Sequence, residues 1–159
     1  RSFGSPCSQP GTARVVSDEP SPVWWRIRDL DPPTDWRDVY DALTSPSGVD
    51  EWGLAAAVFI ARTRRRTGRG PTFAELFGAL LPDSAGLPAQ CPQELSPRQR
   101  RAVVYRFRVN VALAWRRRNL INWDRDRERS LRVGRRFREI SRRRAAELRG
   151  SRDDDRRTE

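Results

Sequence analysis

From Ser96 to Arg118 nothing interrupts a helix: the stretch SPRQRRAVVYRFRVNVALAWRRR has no glycine, and its one proline occupies the first helical position. Proline there loses no bond, because the first amides of a helix have no partner within it. Ser96 and Gln99 have the spacing of a reciprocal cap, in which each side chain takes a free backbone amide at the other position. A helix of about six turns is thus imposed on a chain of 159 residues, and the rest must pack around it. At 100° per residue, Val103, Val104, Phe107, Val111 and Ala114 share one arc, with Trp115 at its edge. Arg98, Arg101, Tyr105, Arg108 and Arg116 lie off that arc. Val109 and Leu113 fall nearly opposite it and need a second apolar partner, either a later element or another subunit.

Further helix signals precede it. Residues 50–66 carry Trp52, Leu54, Val58, Phe59, Ile60 and four alanines. Acids at the start and Arg64-Arg65-Arg66 at the end suit the helix dipole. Apolar groups point almost all round, which predicts a central, buried helix. Thr72-x-x-Glu75 is a second capping box, opening a helix over 73–81 with Phe73, Leu76, Phe77 and Leu80 as its buried stripe. A short helix over 36–43, capped by Thr34 or Asp35, places Trp36, Val39, Tyr40 and Leu43 on one face. Residues 23–30 (VWWRIRDL) read as a short strand or an apolar lead-in. Residues 82–95 form a long loop. Leu120 to Trp123 and Ser130 to Gly134 alternate as strands do, around the charged tip DRDRER, and predict a β-hairpin over 120–133. A basic helix over 135–148 follows, with Phe137, Ile140, Ser141 and Leu148 as its weak apolar side. Residues 1–22 have the composition of a disordered arm and 150–159 that of a solvated tail.

Charge is unevenly placed. Residues 1–80 are neutral, with 10 Arg against 10 acids, and the whole net charge of +11 lies beyond them. Between Arg98 and Arg149 there are 19 Arg and 5 acids. Such a field attracts polyanions, nucleic acid first among them. All 32 basic residues are Arg, a bias that a GC-rich genome produces. Two cysteines without any histidine make neither a zinc site nor a disulfide framework. No Gly-rich phosphate loop, triad or metal-ligand cluster is present, so an enzyme is not expected, nor any cofactor or metal. No apolar run is long enough to span a bilayer, and the first 22 residues hold no signal-type apolar block. With Arg1 first and no Met, the start codon is expected upstream.

The order helix, helix, long helix, hairpin resembles a winged helix-turn-helix domain. TGRGPTFAELFGALL resembles its capped second helix, and VALAWRRRNLINWDRDRERSLRV the end of the third helix running into the wing. Val109, Leu113, Trp115, Asn119, Leu120 and Ile121 follow the pattern that leads into the first wing strand, with Asn119 where glycine is usual. Asn tolerates the left-handed conformation needed there. Asp126-Arg127-x-Arg129-x-Leu131-x-Val133 is also similar to the wing of the multiple-antibiotic-resistance regulator family. The loop over 82–95 and the length of the third helix depart from the pattern.

The resemblance implies a mainly α fold, with a three-helix core and a β-hairpin wing over 49–134. Residues 23–48 would be an N-terminal extension, 135–149 a C-terminal basic helix, and the two ends disordered. It implies double-stranded DNA as partner. Arg98, Gln99, Arg101, Tyr105 and Arg108 would meet base edges in the major groove. Arg125, Arg127, Arg129 and Arg132 of the wing would lie near phosphates or in the minor groove. Thr72 at a helix N-terminus, with Arg69 beside it, would hold a phosphate. The expected role is sequence-specific transcriptional regulation in the cytoplasm, associated with the nucleoid, of a GC-rich bacterium, its plasmid or its phage. Alternatives are a replication or segregation initiator, an RNA- or ribosome-associated protein, and a winged-helix protein-interaction module. A homodimer through Val109, Leu113 and the 135–148 helix would give paired half-sites.

Overall fold

The computed structural model describes residues 19–82 and 91–157. Five α-helices and one two-stranded antiparallel sheet follow in the order α1 (Thr34–Thr44), α2 (Gly48–Thr67), α3 (Phe73–Leu80), α4 (Pro97–Arg117), β1 (Ile121–Asn122), β2 (Arg132–Val133) and α5 (Arg135–Arg157). The protein is mainly helical, as the patterning predicts.

Both capping boxes form. Thr72 Oγ1 accepts from Glu75 N at 3.1 Å while Glu75 Oε2 accepts from Thr72 N at 3.1 Å. Ser96 and Gln99 do the same at 3.2 and 2.9 Å. α1 differs: Pro33 precedes its first turn, Thr34 and Asp35 lie inside the helix, and no side chain caps it. α4 ends in a left-handed residue, Asn119 at φ 57°. Leu120 N donates to Trp115 O and Asn119 N to Arg116 O, the double closure that lets Asn stand in for glycine. Gly68, at φ 74°, ends α2.

α4 buries Val103, Phe107, Val111 and Trp115 of the arc read from its periodicity, whereas Val104 and Ala114 of that arc are only half-buried and Ala112, outside it, is buried. α2 is less enclosed than its composition suggests. It buries Val49, Gly53, Ala56, Ala57 and Ile60, while Ala55 is exposed and Val58 is 37% exposed. Its small residues serve close approach: a Cβ at Gly53 would run into the Leu120 side chain and press on Trp115.

Residues 23–48 do not form an appendage. Trp24 and Trp25 are buried within turns and coil rather than a strand, and with Trp36 they share one core with α4. Trp24 stacks on Trp36 with ring centres 6.2 Å apart, and Phe107 meets both edge-on at 5.2 and 5.4 Å. A second aromatic pair, Phe77 stacked on Trp115 at 5.5 Å, packs α3 on α4. Trp115 Nε1 also donates to Leu43 O at 3.0 Å, tying α1 to α4.

The hairpin pairs Ile121 with Val133 and Asn122 with Arg132. Two pairs alone are marginal in water. The α2–α3 corner supports them: Gly70 N donates to Arg129 O at 3.0 Å and Arg64 Nε to Leu131 O at 2.8 Å. A Cβ at Gly70 would collide with the Leu131 carbonyl, so only glycine fits there. α5 begins directly after the hairpin. Its first turn is held by Arg136 N on Asn119 O and by the Arg136 guanidinium on Asp50. Beyond that turn it buries no residue, and it continues through the expected tail to Arg157. The residues 150–157 are therefore helical. Most of the disordered arm expected over 1–22, the middle of the loop expected over 82–95 and the last two residues of the tail lie outside the described residues.

Candidate nucleic-acid interface

Two neighbouring grooves share Phe73 and Tyr105, and together they make one concave face. The first, of about 950 Å³, lies between the start of α3 and the N-terminal half of α4, and Arg100, Arg101, Val104 and Arg108 line it with Cys91 and Gln93. The second, of about 600 Å³, lies between α4 and the hairpin loop. Its floor is Val109, Leu113 and Trp123, and its rim is Thr72, Arg116 and residues 124–131. Val109 and Leu113 thus face a later element of the same chain across this groove. Both remain half-buried, so the later element faces them without closing over them.

The expected contact residues differ in exposure and in the bonds they make within the fold. Arg98 and Arg101 project from the first turns of α4 and are exposed. Tyr105 is 62% exposed at the junction of the grooves. Arg108 is half-buried in the first groove, and desolvation lowers its pKa from the ordinary arginine value, leaving it cationic near neutrality. Gln99 is exposed, but its Oε1 accepts the Ser96 amide. Reading a base with it means opening the cap.

On the hairpin, Arg125 and Arg127 line the second groove at an exposed tip. Ser130 closes that tip: its Oγ accepts from Asp124 N at 2.9 Å and donates to Asp124 O at 3.1 Å. Arg129 makes a two-pronged ion pair with Glu75, at 2.9 and 3.2 Å. Arg132 pairs with Asp124 at 3.0 Å. These two guanidiniums therefore brace the hairpin. Arg129 foremost, with the Thr72 amide behind it, holds the Glu75 carboxyl below its ordinary range. That carboxylate sits at the α3 N-terminus, where a phosphate was expected beside Thr72. Arg69 is exposed just before α3, its carbonyl accepting from Thr67 Oγ1.

Sequence reasoning missed two contributors. Arg116 lies over the Trp123 ring at 4.8 Å, a cation–π contact that aims a charge into the second groove. Its place off the buried arc was the available signal. Arg100 reaches back to Leu95 O at 3.1 Å and orients the approach to α4. Spacing cannot disclose that contact, because its partner lies in a loop. Among the described residues, no helix is long and apolar enough to cross a membrane. Comparison with protein-family models, curated proteins and solved structures finds no match to this chain.

Proposed function

We propose that the chain binds double-stranded DNA in a sequence-specific way, as a winged-helix transcriptional regulator. The carrying observation is the shared concave face, on which α4 offers Arg101, Tyr105, Arg108 and Arg116 and the hairpin offers Arg125 and Arg127. The arginines come from separate elements and line the two grooves together, Arg116 over the Trp123 ring. The order of α2, α3, α4 and hairpin supports the winged reading. So does the backbone bond from Gly70, between α2 and α3, to Arg129 in the hairpin.

In this reading Arg98 and Arg101 contact guanine O6 and N7 from the start of α4, where bidentate geometry discriminates bases. Arg116, Arg125 and Arg127 neutralise phosphates and supply most of the affinity. Arg129 and Glu75 set the hairpin's angle.

The test is selection from random duplexes followed by competition binding. Wild-type protein is expected to enrich one motif. The pair Arg98→Gln and Arg101→Gln is expected to lose preference for it by about 10-fold or more, with an unchanged circular dichroism spectrum. The pair Arg125→Gln and Arg127→Gln is expected to weaken all duplexes alike and to lower the salt slope by about 2. Equal affinity of both pairs and wild type for the selected motif would overturn the proposal.

A further inference from the structure

α5 has 23 residues, of which none is buried. Its charges are nonetheless ordered. At 100° per residue, Arg138, Arg142, Arg149, Arg152 and Arg156 fall within an arc of about 80°, and all five are exposed. Only Ala145 shares the arc with them. The acids Glu139, Glu147, Asp154 and Asp155 fall outside it, and Asp153 borders it. Phe137, Ile140 and Leu148 lie on another side. The stripe runs about 27 Å along the helix.

We infer that this stripe is a second nucleic-acid contact, which lies along the phosphate backbone of duplex DNA beside the sequence read by α4. It rests on the proposed DNA binding and adds a partner surface to it. The stripe's chemistry selects the occupant. A protein interface is built on apolar and aromatic groups at its centre, and an interfacial membrane helix needs apolar residues below its basic ones. The arc has neither. A duplex presents a phosphate about every 3.4 Å along each strand, so the length of the stripe spans about eight of them on one strand. Five guanidiniums in a row match an extended, uniform anion of this kind. The anchored first turn, with Arg136 on Asp50 and on Asn119 O, fixes where the stripe leaves the hairpin.

Two triple variants with equal charge loss separate the stripe from net charge. Arg138→Gln, Arg142→Gln and Arg149→Gln remove three stripe members. Arg143→Gln, Arg144→Gln and Arg157→Gln remove three arginines from other faces. Gln keeps helix propensity, and circular dichroism checks it. Each protein is titrated with a duplex of about 40 base pairs between roughly 50 and 200 mM salt. The stripe triple is expected to lower the slope of log affinity against log salt by about 2.7 and to weaken binding about tenfold at mid-range salt. The other triple is expected to change the slope by less than about 1. Equal effects of the two triples, or a stripe triple that binds as wild type does, would overturn the inference. If wild-type protein shows no salt-dependent duplex binding, the DNA reading falls and this inference with it. If wild type binds and Arg125→Gln with Arg127→Gln weakens it while the stripe triple does not, only α5 loses its role. Loss of binding to anionic vesicles with duplex binding retained would also count against it.

Discussion

Asp50 joins three helices through one carboxylate. Arg118, at the end of α4, approaches at 3.0 and 3.2 Å, and Arg136, in α5, at 2.9 and 3.4 Å. The Arg118 hydrogen bond foremost, then Arg136, holds its carboxyl below the ordinary 3.8. The side chain is 33% exposed, so solvent screens both pairs. Asp50→Asn is expected to cost about 1 kcal/mol at neutral pH, read from urea denaturation. A depressed carboxylate stabilises the fold above its unfolded value and loses that contribution as pH falls through the folded one. The gap between wild type and variant is therefore expected to be full above about pH 5 and to close below 3.8. Nothing in the sequence marks Asp50 as more than a helix-start acid, because its partners lie 68 and 86 positions away. Distance in sequence also hid the role of Arg129, 54 positions from Glu75, while the partner of Arg132 lies 8 positions away across the hairpin. Their residue type pointed to phosphate, and their neighbours in space are Glu75 and Asp124.

At the scale of elements, whatever depends on spacings of three and four residues was legible. The capping boxes of α3 and α4, the buried arc of α4 and the left-handed Asn119 are all local, and all are present. The extent of α5 was not legible. GSRDDDRR reads as solvated chain by composition, yet no proline stops the helix there and Gly150 costs it only about 1 kcal/mol. The hairpin was legible in place and not in support, since its anchor is a glycine in the α2–α3 corner. Gly70→Ala pushes a methyl group into the Leu131 and Arg129 carbonyls. It is expected to cost about 2 kcal/mol and to speed amide exchange in the hairpin before the helices, measured by deuterium exchange.

For the whole molecule, the folded unit begins earlier and ends earlier than composition implies. Trp24 and Trp25 are each 1% exposed, and an aromatic ring of this size buries enough surface for roughly 4–6 kcal/mol as an upper bound. A chain starting at Thr34 is expected to lose cooperative thermal unfolding. A chain ending at Ser141 keeps the anchored turn of α5 and the partly buried Phe137, and its melting temperature is expected to stay within about 3 °C of wild type. Scanning calorimetry of the two truncations checks both. The candidate face was legible as a list of arginines and not as a surface. Periodicity sorts the residues of one helix, whereas the face is assembled by contacts between elements: Phe77 stacked on Trp115, and Phe73 and Arg116 against Trp123.

Between Asp124 and Ser130 the hairpin tip is closed on itself, and at its returning side Arg129 O and Leu131 O are held by Gly70 N and Arg64 Nε. These fastenings lie at Asp124 with Ser130 and at Arg129 with Leu131, and residues 125–128 carry neither. Added there, extra chain would extend the arm's reach and leave its bearing unaltered, because the hinge and the fingertip are fastened separately.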